Sequence, residues 1–399
     1  MCPCQTIAAE KRLIYLLVKR KWAMHRGETM KCHAGTRCLA LIAGLCALVA
    51  GPARAADAGA ALGAVMERAR ARVPAMGMAI LRDGHIAAIA VRGVRVIGGV
   101  DRVRPDDPWH IGSDAKAMTA VLIARLVERG LLGWDDTLGH LLPDWPMQPG
   151  YARASLAELL SHRAGLPHDL VDPHARAALF GDDGPASLSD KRRHYIERAL
   201  ADPPVGRAGT FHYSNTGYLV AAAIAERVTG EPWENLLRRE VMVPLGMDHA
   251  RFGTTGAGEP QGHRGGRATG PDETNPLFFA PAGGLVLPLE DWAKFGLDQL
   301  AGARGQGALL SAAGYRRMQT AQGGGYGMGW EVLPGYAGRA GPVLVHAGSD
   351  TNWYAIAVLF PAQGTGVLVV ANAGPDMGGD TATRAALAAV LPDLAPPER

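Results

Sequence analysis

Ile111-Gly112-Ser113-Asp114-Ala115-Lys116 sets a serine and a lysine three residues apart. A serine hydroxyl attacks a carbonyl at neutral pH only when a neighbouring base takes its proton. In a helix beginning at Ser113, the residue at i+3 lies on the serine's own face, one turn along. The lysine amine then reaches the hydroxyl, and it can accept the proton once burial leaves part of it neutral. Beyond Ala55 the chain holds three lysines (Lys116, Lys191, Lys294) and eight serines in 344 residues. Random placement of so few yields roughly 0.07 such pairs, so the spacing carries information. The competing reading of Lys116 is an exposed cation on an ordinary helix, and two further motifs decide against it.

Tyr213-Ser214-Asn215 follows one hundred residues after Ser113, and His346-Ala347-Gly348 comes later still. With Ser113-x-x-Lys116, these resemble the three motifs of the serine β-lactamase and penicillin-binding protein superfamily. The specific similarity is to its class C-like branch, which holds class C β-lactamases, D-Ala-D-Ala carboxypeptidases, D-aminopeptidases and β-lactamase-like carboxylesterases. Connecting segments resemble family landmarks too: Leu159-Leu160-Ser161-His162-Arg163-Ala164-Gly165-Leu166, Pro244-Leu245-Gly246-Met247, Pro281-Ala282-Gly283-Gly284 and Tyr326-Gly327-Met328-Gly329-Trp330. The similarity covers roughly residues 60–390. It is specific for the family and unspecific for the substrate.

The resemblance implies a role for each residue. Ser113, at a helix N-terminus, becomes acylated. Lys116 and Tyr213 share the proton work, and the choice between them as base stays open. Tyr213 would have to lose about three pKa units to act as a base at neutral pH, which calls for positive charge from Lys116. Asn215 would bond the substrate amide and Lys116 together. The oxyanion hole would be the backbone N–H groups of Ser113 and Ser349. Gly348 would let backbone approach a ligand closely. No cofactor and no metal are implied.

The third motif departs from the family pattern. Class C β-lactamases usually carry Lys-Thr-Gly there, and several carboxypeptidases His-Thr-Gly. Here Ala347 removes a hydroxyl that in the family contacts a substrate carboxylate, and a histidine such as His346 is only partly protonated at neutral pH. Both changes weaken recognition of a free carboxylate. Ser349 could supply the missing hydroxyl, though its place suits the oxyanion hole better.

Composition bounds the rest. A chain of 399 residues, 48% hydrophobic and 20% charged, can bury one large core or two coupled ones. Lys31 and Arg37 precede an apolar run over 39–50, and Ala53-Arg54-Ala55 offers small residues for a signal peptidase. About twelve apolar residues are too few to cross a bilayer, so 1–55 reads as a secretory signal peptide, with Met30 as a second candidate start. A retained N-terminal anchor is the competing reading. A lipoprotein reading of Cys46 fails because Leu45 precedes it where a small residue belongs. All five cysteines (2, 4, 32, 38, 46) fall in this leader, which suits a thiol-free periplasmic or secreted domain. The leader carries nine Lys+Arg against two Asp+Glu, so the formal +3 of the whole chain becomes about −4 beyond it. The basicity belongs to export, and no nucleic-acid-binding face is implied. The expected partner is a small or cell-wall-derived substrate, and the expected state is a monomer without a membrane anchor after processing.

Periodicity predicts an α/β (α+β) organisation of β-lactamase/transpeptidase type. An amphipathic helix over 60–72 precedes strands over 77–82 and 85–92, joined by the hairpin signal Asp83-Gly84. The nucleophile helix is predicted over 113–129, ending at Gly130. Helices are predicted over 219–229 and 233–241, and surface loops over 181–193 and 253–276. Strands return over 329–333, 343–346, 353–360 and 366–372, before a closing helix over 381–390. The antiparallel sheet, flanked by helices, thus comes from both chain ends (56–130 and 290–399), with 131–289 inserted as a mostly helical domain. Trp134, Trp145 and Trp233 are expected in the core or at the domain interface.

Other classes lack their signatures. No serine beyond the leader has glycine at both −2 and +2, which a nucleophile elbow needs. The thirteen histidines form no His-Glu-x-x-His pattern. A non-catalytic alternative remains, a β-lactam or cell-wall sensor that acylates and stalls, or a binding module on the same scaffold. For the leader, the expected mature terminus lies near Ala56. N-terminal sequencing of exported protein checks it, and recovery of residues 1–29 in a membrane fraction would replace the signal peptide with an anchor.

Overall fold

The computed structural model describes residues 55–68 and 72–394. The leader expected at 1–55 lies, up to residue 54, outside the described residues. A six-stranded antiparallel sheet, order β2-β1-β11-β10-β9-β8, forms from the two ends of the described chain. Its strands are β1 (Ala75–Arg82), β2 (His85–Gly93), β8 (Glu331–Tyr336), β9 (Arg339–Ser349), β10 (Tyr354–Phe360) and β11 (Thr365–Ala371). The Asp83-Gly84 turn between β1 and β2 has positive φ at both residues (52° and 81°), the two-residue geometry that matches strand twist.

The central strands do not alternate apolar and polar residues, because both faces are covered. Every residue of β10 and β11 is buried. One face packs Met78, Ile80, Val358 and Val369 against helix α1 (Ala55–Arg68) and the closing helix α9 (Gly379–Leu394). The other packs Leu81, Leu359 and Leu368 against α8 (Leu289–Ala303) and towards α2 (Ala115–Glu128). A continuous apolar run is what a doubly covered strand requires.

The middle of the chain holds helices α3 (Leu156–Leu160), α4 (Pro173–Phe180), α5 (Leu188–Ala201), α6 (Asn215–Thr229) and α7 (Ala280–Gly283). It also holds strands: β4 (Arg251–Phe252) and β7 (Leu285–Pro288) join β3 (Pro108–His110) in a small sheet, and β5 (His263–Arg264) pairs with β6 (Arg267–Ala268). Trp145 and Trp233 are buried and Trp134 packs part-buried on the same core. No helix among the described residues is long and apolar enough to cross a membrane.

Several expectations are corrected. The opening helix, expected from residue 60, already includes 55–59, being described over Ala55–Arg68. The stretch 181–193 is only half loop: Ser187 caps α5 by accepting from the Asp190 N–H, and Tyr195, Ile196, Ala199 and Leu200 bury one face of that helix. The polar stretch 253–276 is not all surface, since His263 and Thr269 are buried. Ser113 does not open the α-helix either. It sits in a 3-10 turn, Gly112–Asp114, from which α2 continues at Ala115. In such a turn residues three apart lie on the same side of the axis, so Ser113 and Lys116 still face the same way.

That turn is welded to the end of β9. Gly112 has φ of 54°, and a Cβ there would lie 2.8 Å from the Gly348 carbonyl carbon and closer still to Ser349 N. A Cβ on Gly348 would lie 2.8 Å from Ser113 N and closer still to the Ile111 carbonyl oxygen. Gly348 therefore makes room for the nucleophile turn itself. Gly348→Ala should cost about 1–3 kcal/mol through overpacking against backbone that cannot rotate away. Chemical denaturation measures this, and unchanged stability would show that the two segments are not in rigid contact.

Candidate active site

Lys116 lies in the first turn of α2 and is fully buried. Its Nζ stands 3.1 Å from Ser113 Oγ and 2.8 Å from Asn215 Oδ1, and it also bonds the Ala282 carbonyl oxygen. The last two are acceptors only, so two N–H bonds of the amine are committed to them. The third contact is different in kind, because a hydroxyl both donates and accepts. Neutral Lys116 has its lone pair left for the Ser113 proton, and the ammonium has its third N–H left for the serine oxygen. The same geometry serves both protonation states.

Ala282 was quoted in the sequence only as part of a landmark, and its carbonyl is a lysine partner that sequence reasoning missed. Helix α7, which carries it, is held on α2 by Thr119 Oγ1 donating to the Pro281 carbonyl at 2.8 Å. A Cβ on Gly283 would lie 3.2–3.3 Å from the Gly112 carbonyl carbon and Ser113 N, so α7 also abuts the nucleophile turn.

The centroid of the Tyr213 ring lies 5.1 Å from Lys116 Nζ, and its hydroxyl lies near the Ser113 side chain. Burial pushes the phenol well above its ordinary pKa, and the Ser113 hydroxyl offsets only part of this. The downward shift that a tyrosinate base calls for is therefore absent: at neutral pH the phenol stays protonated. The ring is fixed by His162, whose centroid is 4.2 Å away and whose Nδ1 accepts the Ser214 N–H at 3.1 Å. His162 itself adopts a left-handed φ of 60°. Sequence quoted it only as a landmark, and nothing local in the sequence announces the role.

Asn215 is held at both ends of its amide. Its Oδ1 accepts from Lys116, and its Nδ2 donates to Asp169 Oδ1 at 3.1 Å. The Asp169 carboxyl is pushed up by burial, yet the bond and charge of His168, the charge of Arg176 and the Asn215 amide outweigh this and bring it down to about 2. Asp169 thus sits in the site as a carboxylate. It too went unnoticed, as a lone aspartate in a loop.

The third motif borders the same turn. Strand β8 pairs with β9 no further than Val345, which leaves the edge at 346–349 facing the nucleophile turn. His346 is buried, with Nε2 3.1 Å from the Tyr326 hydroxyl. Ala347 is half-buried and brings no hydroxyl. The Ser349 hydroxyl donates to the Trp353 carbonyl at 2.7 Å and accepts the Thr351 N–H at 3.0 Å. It is engaged in its own turn and does not replace a motif hydroxyl. Ser349 N, in contrast, lies against Gly112, one residue from the Ser113 N–H. All seven residues singled out from the sequence therefore gather around one turn. Among the described residues, no group of three or more His, Cys, Asp or Glu could hold a metal ion.

The two stretches 181–193 and 253–276 face each other across a cavity of about 740 Å³. Asp183, Leu188 and Lys191 line it from one side, and Gly253, Thr254 and Thr274 from the other.

Comparison with known proteins agrees with the fold. The Beta-lactamase family model matches residues 58–391. The chain is 30% identical over 262 residues to the PbpX protein of Bacillus subtilis (strain 168), covering 64% of this chain and 61% of that one. It is 26% identical over 339 residues to penicillin-binding protein 4 of Amycolatopsis lactamdurans, covering 77% and 83%. The chain thus spans less than two thirds of the PbpX length. Among solved structures, the octameric penicillin-binding protein homologue from Pyrococcus abyssi superposes with a TM-score of 0.68 at 25% identity, over 84% of this chain and 77% of that one. A D-stereospecific amidohydrolase from Streptomyces sp. gives 0.67 at 22% identity, over 86% and 100%, a likeness of fold. The resemblance carried by the three motifs and the mixed antiparallel architecture both hold, and the chain belongs to the Beta-lactamase family of serine hydrolases.

Proposed function

We propose that this protein is an exported serine hydrolase that cleaves a small ester, amide or β-lactam through a Ser113 acyl-enzyme. The observation that carries the reading is the commitment of two Lys116 N–H bonds to Asn215 Oδ1 and the Ala282 carbonyl, with Ser113 Oγ at the remaining position. Neutral Lys116 takes the Ser113 proton as Oγ attacks the carbonyl carbon. The negative charge on the former carbonyl oxygen is met by the N–H groups of Ser113 and Ser349. Tyr213, protonated, passes its proton to the leaving group and recovers one from Lys116. Water then repeats the sequence on the acyl-enzyme, releasing the acid and restoring Ser113. No step calls for a cofactor.

Substrate preference follows from Ala347 and Ser349. With no hydroxyl at 347 and that of Ser349 engaged with Trp353 and Thr351, the edge of β9 offers no hydroxyl to a substrate carboxylate. A neutral acyl donor such as a short-chain ester suits this site better than a penicillin or a D-alanine terminus. The likeness to PbpX and penicillin-binding protein 4 supports a second reading, a β-lactam-binding protein that acylates and deacylates slowly.

A panel of p-nitrophenyl esters, nitrocefin and D-Ala-D-Ala peptides tests both, with Ser113→Ala as the inactive control. Wild type should favour the esters by kcat/KM. Ala347→Thr should raise β-lactam turnover by up to about ten- to a hundredfold, the value of one hydrogen bond to a charged group, and leave ester turnover nearly unchanged. Nitrocefin turnover typical of a dedicated β-lactamase, with no gain from Ala347→Thr, would show that another residue reads the carboxylate. A stable penicilloyl adduct without turnover of any substrate would favour the slow-deacylating reading.

A further inference from the structure

Three successive residues of one loop hold Ser214 and Asn215. The Pro167 carbonyl accepts from the Ser214 hydroxyl at 2.6 Å, the His168 carbonyl accepts from the Asn215 N–H at 2.8 Å, and Asp169 Oδ1 accepts from Asn215 Nδ2 at 3.1 Å. Asp169 is itself fixed. His168 Nδ1 lies 2.8 Å from its Oδ2, Arg176 Nε of α4 lies 4.0 Å from the same oxygen, and its side chain is 10% exposed. The His168 ring stands 5.7 Å from that of Tyr213, so the loop buttresses the tyrosine as well.

The chemistry of the two ends of Asn215 makes this contact directional. A carboxylate only accepts hydrogen bonds, so it tolerates the amide NH₂ and repels the amide carbonyl. The opposite end of the amide, facing Lys116 Nζ at 2.8 Å, must then be the carbonyl oxygen. Reversed, Asn215 would turn an N–H towards the amine, donor against donor, and Lys116 would lose the contact that sets its Nζ beside Ser113.

We propose that Asp169 is a positioning residue for acyl transfer: its carboxylate fixes the orientation of the Asn215 amide, and through Asn215 it aims the Lys116 amine at Ser113. The role rests on the Ser113 acyl-enzyme reading above. It touches neither substrate nor nucleophile and acts two contacts away. Asp169→Asn removes the directionality while keeping the shape, because an amide meets either end of Asn215 equally well. Asp169→Ala removes the contact altogether.

The test uses the full chain and measures the second-order rate of Ser113 phosphonylation by a small fluorophosphonate, together with kcat and KM on an ester that wild type hydrolyses. Both variants should lose about ten- to a hundredfold in labelling rate and in kcat, with KM changed by less than about threefold. In an Asn215→Ala background, Asp169→Asn should cost nothing further, since the residue through which it acts is gone. Should Asp169→Ala fail to fold, the near-isosteric Asp169→Asn decides alone. Wild-type labelling in Asp169→Asn, a loss confined to KM, or an undiminished loss in the Asn215→Ala background would each overturn the role of Asp169 while leaving the acyl-enzyme intact. A wild type that reacts with the probe elsewhere than Ser113 would overturn the underlying reading and this inference with it.

Discussion

A fully buried amine with three oxygen partners organises this molecule. Lys116 Nζ binds Ser113 from its own turn, Asn215 from the start of α6 and the Ala282 carbonyl from α7. These three segments are far apart in sequence, and only the folded chain brings them to one nitrogen. An amine sequestered from water without such partners would be costly, so the pocket tolerates the lysine only when all three segments are in place. Asp169 and His162 extend the arrangement outward, the first holding the far end of the Asn215 amide and the second the ring of Tyr213 and the N–H of Ser214.

The sheet serves this node by offering a rigid edge. Beyond Val345, β9 leaves β8 and runs beside the nucleophile turn, backbone against backbone. Two glycines, Gly112 and Gly348, permit that approach, and they set the Ser113 and Ser349 amides close together. Because β9 is paired to β10 and buried in a doubly covered sheet, this donor geometry is set by the core rather than by a loop. The stretches 181–193 and 253–276 line a cavity of about 740 Å³ that none of the seven site residues borders. Such a division suits a scaffold whose members differ in substrate.

Much of this was legible in the sequence, for identifiable reasons. Ser113 and Lys116 were legible because local spacing alone puts them together, and the Asp83-Gly84 turn because two left-handed residues in succession leave few alternatives. Strands β1, β10 and β11 appeared as apolar runs. Asp169, His162 and the Ala282 carbonyl were not legible as parts of the site. Each acts across a long sequence separation, and a backbone carbonyl leaves no mark on residue type at all. The helical half of 181–193 was hidden for another reason: Gly181, Asp182 and Asp183 dominate its start, while the helix capped by Ser187 only shows its apolar face from Tyr195 onward. The protonation of Tyr213 was left open by the sequence, because the burial that raises its pKa comes from residues such as His162 and Tyr326 that pack on it only in the fold.

The claim that most depends on the amine node is that Lys116, and not Tyr213, removes the Ser113 proton. The direct measurement is the second-order rate of Ser113 phosphonylation in Lys116→Ala beside Tyr213→Phe, with the modified peptide identified by mass spectrometry. Loss of a general base typically costs 10²–10⁴-fold, so Lys116→Ala should fall by about a thousandfold, while Tyr213→Phe should stay within roughly tenfold of wild type because the probe's fluoride leaves without needing a proton. The reverse order, with Tyr213→Phe the slower of the two, would contradict the account and return the base to the tyrosine.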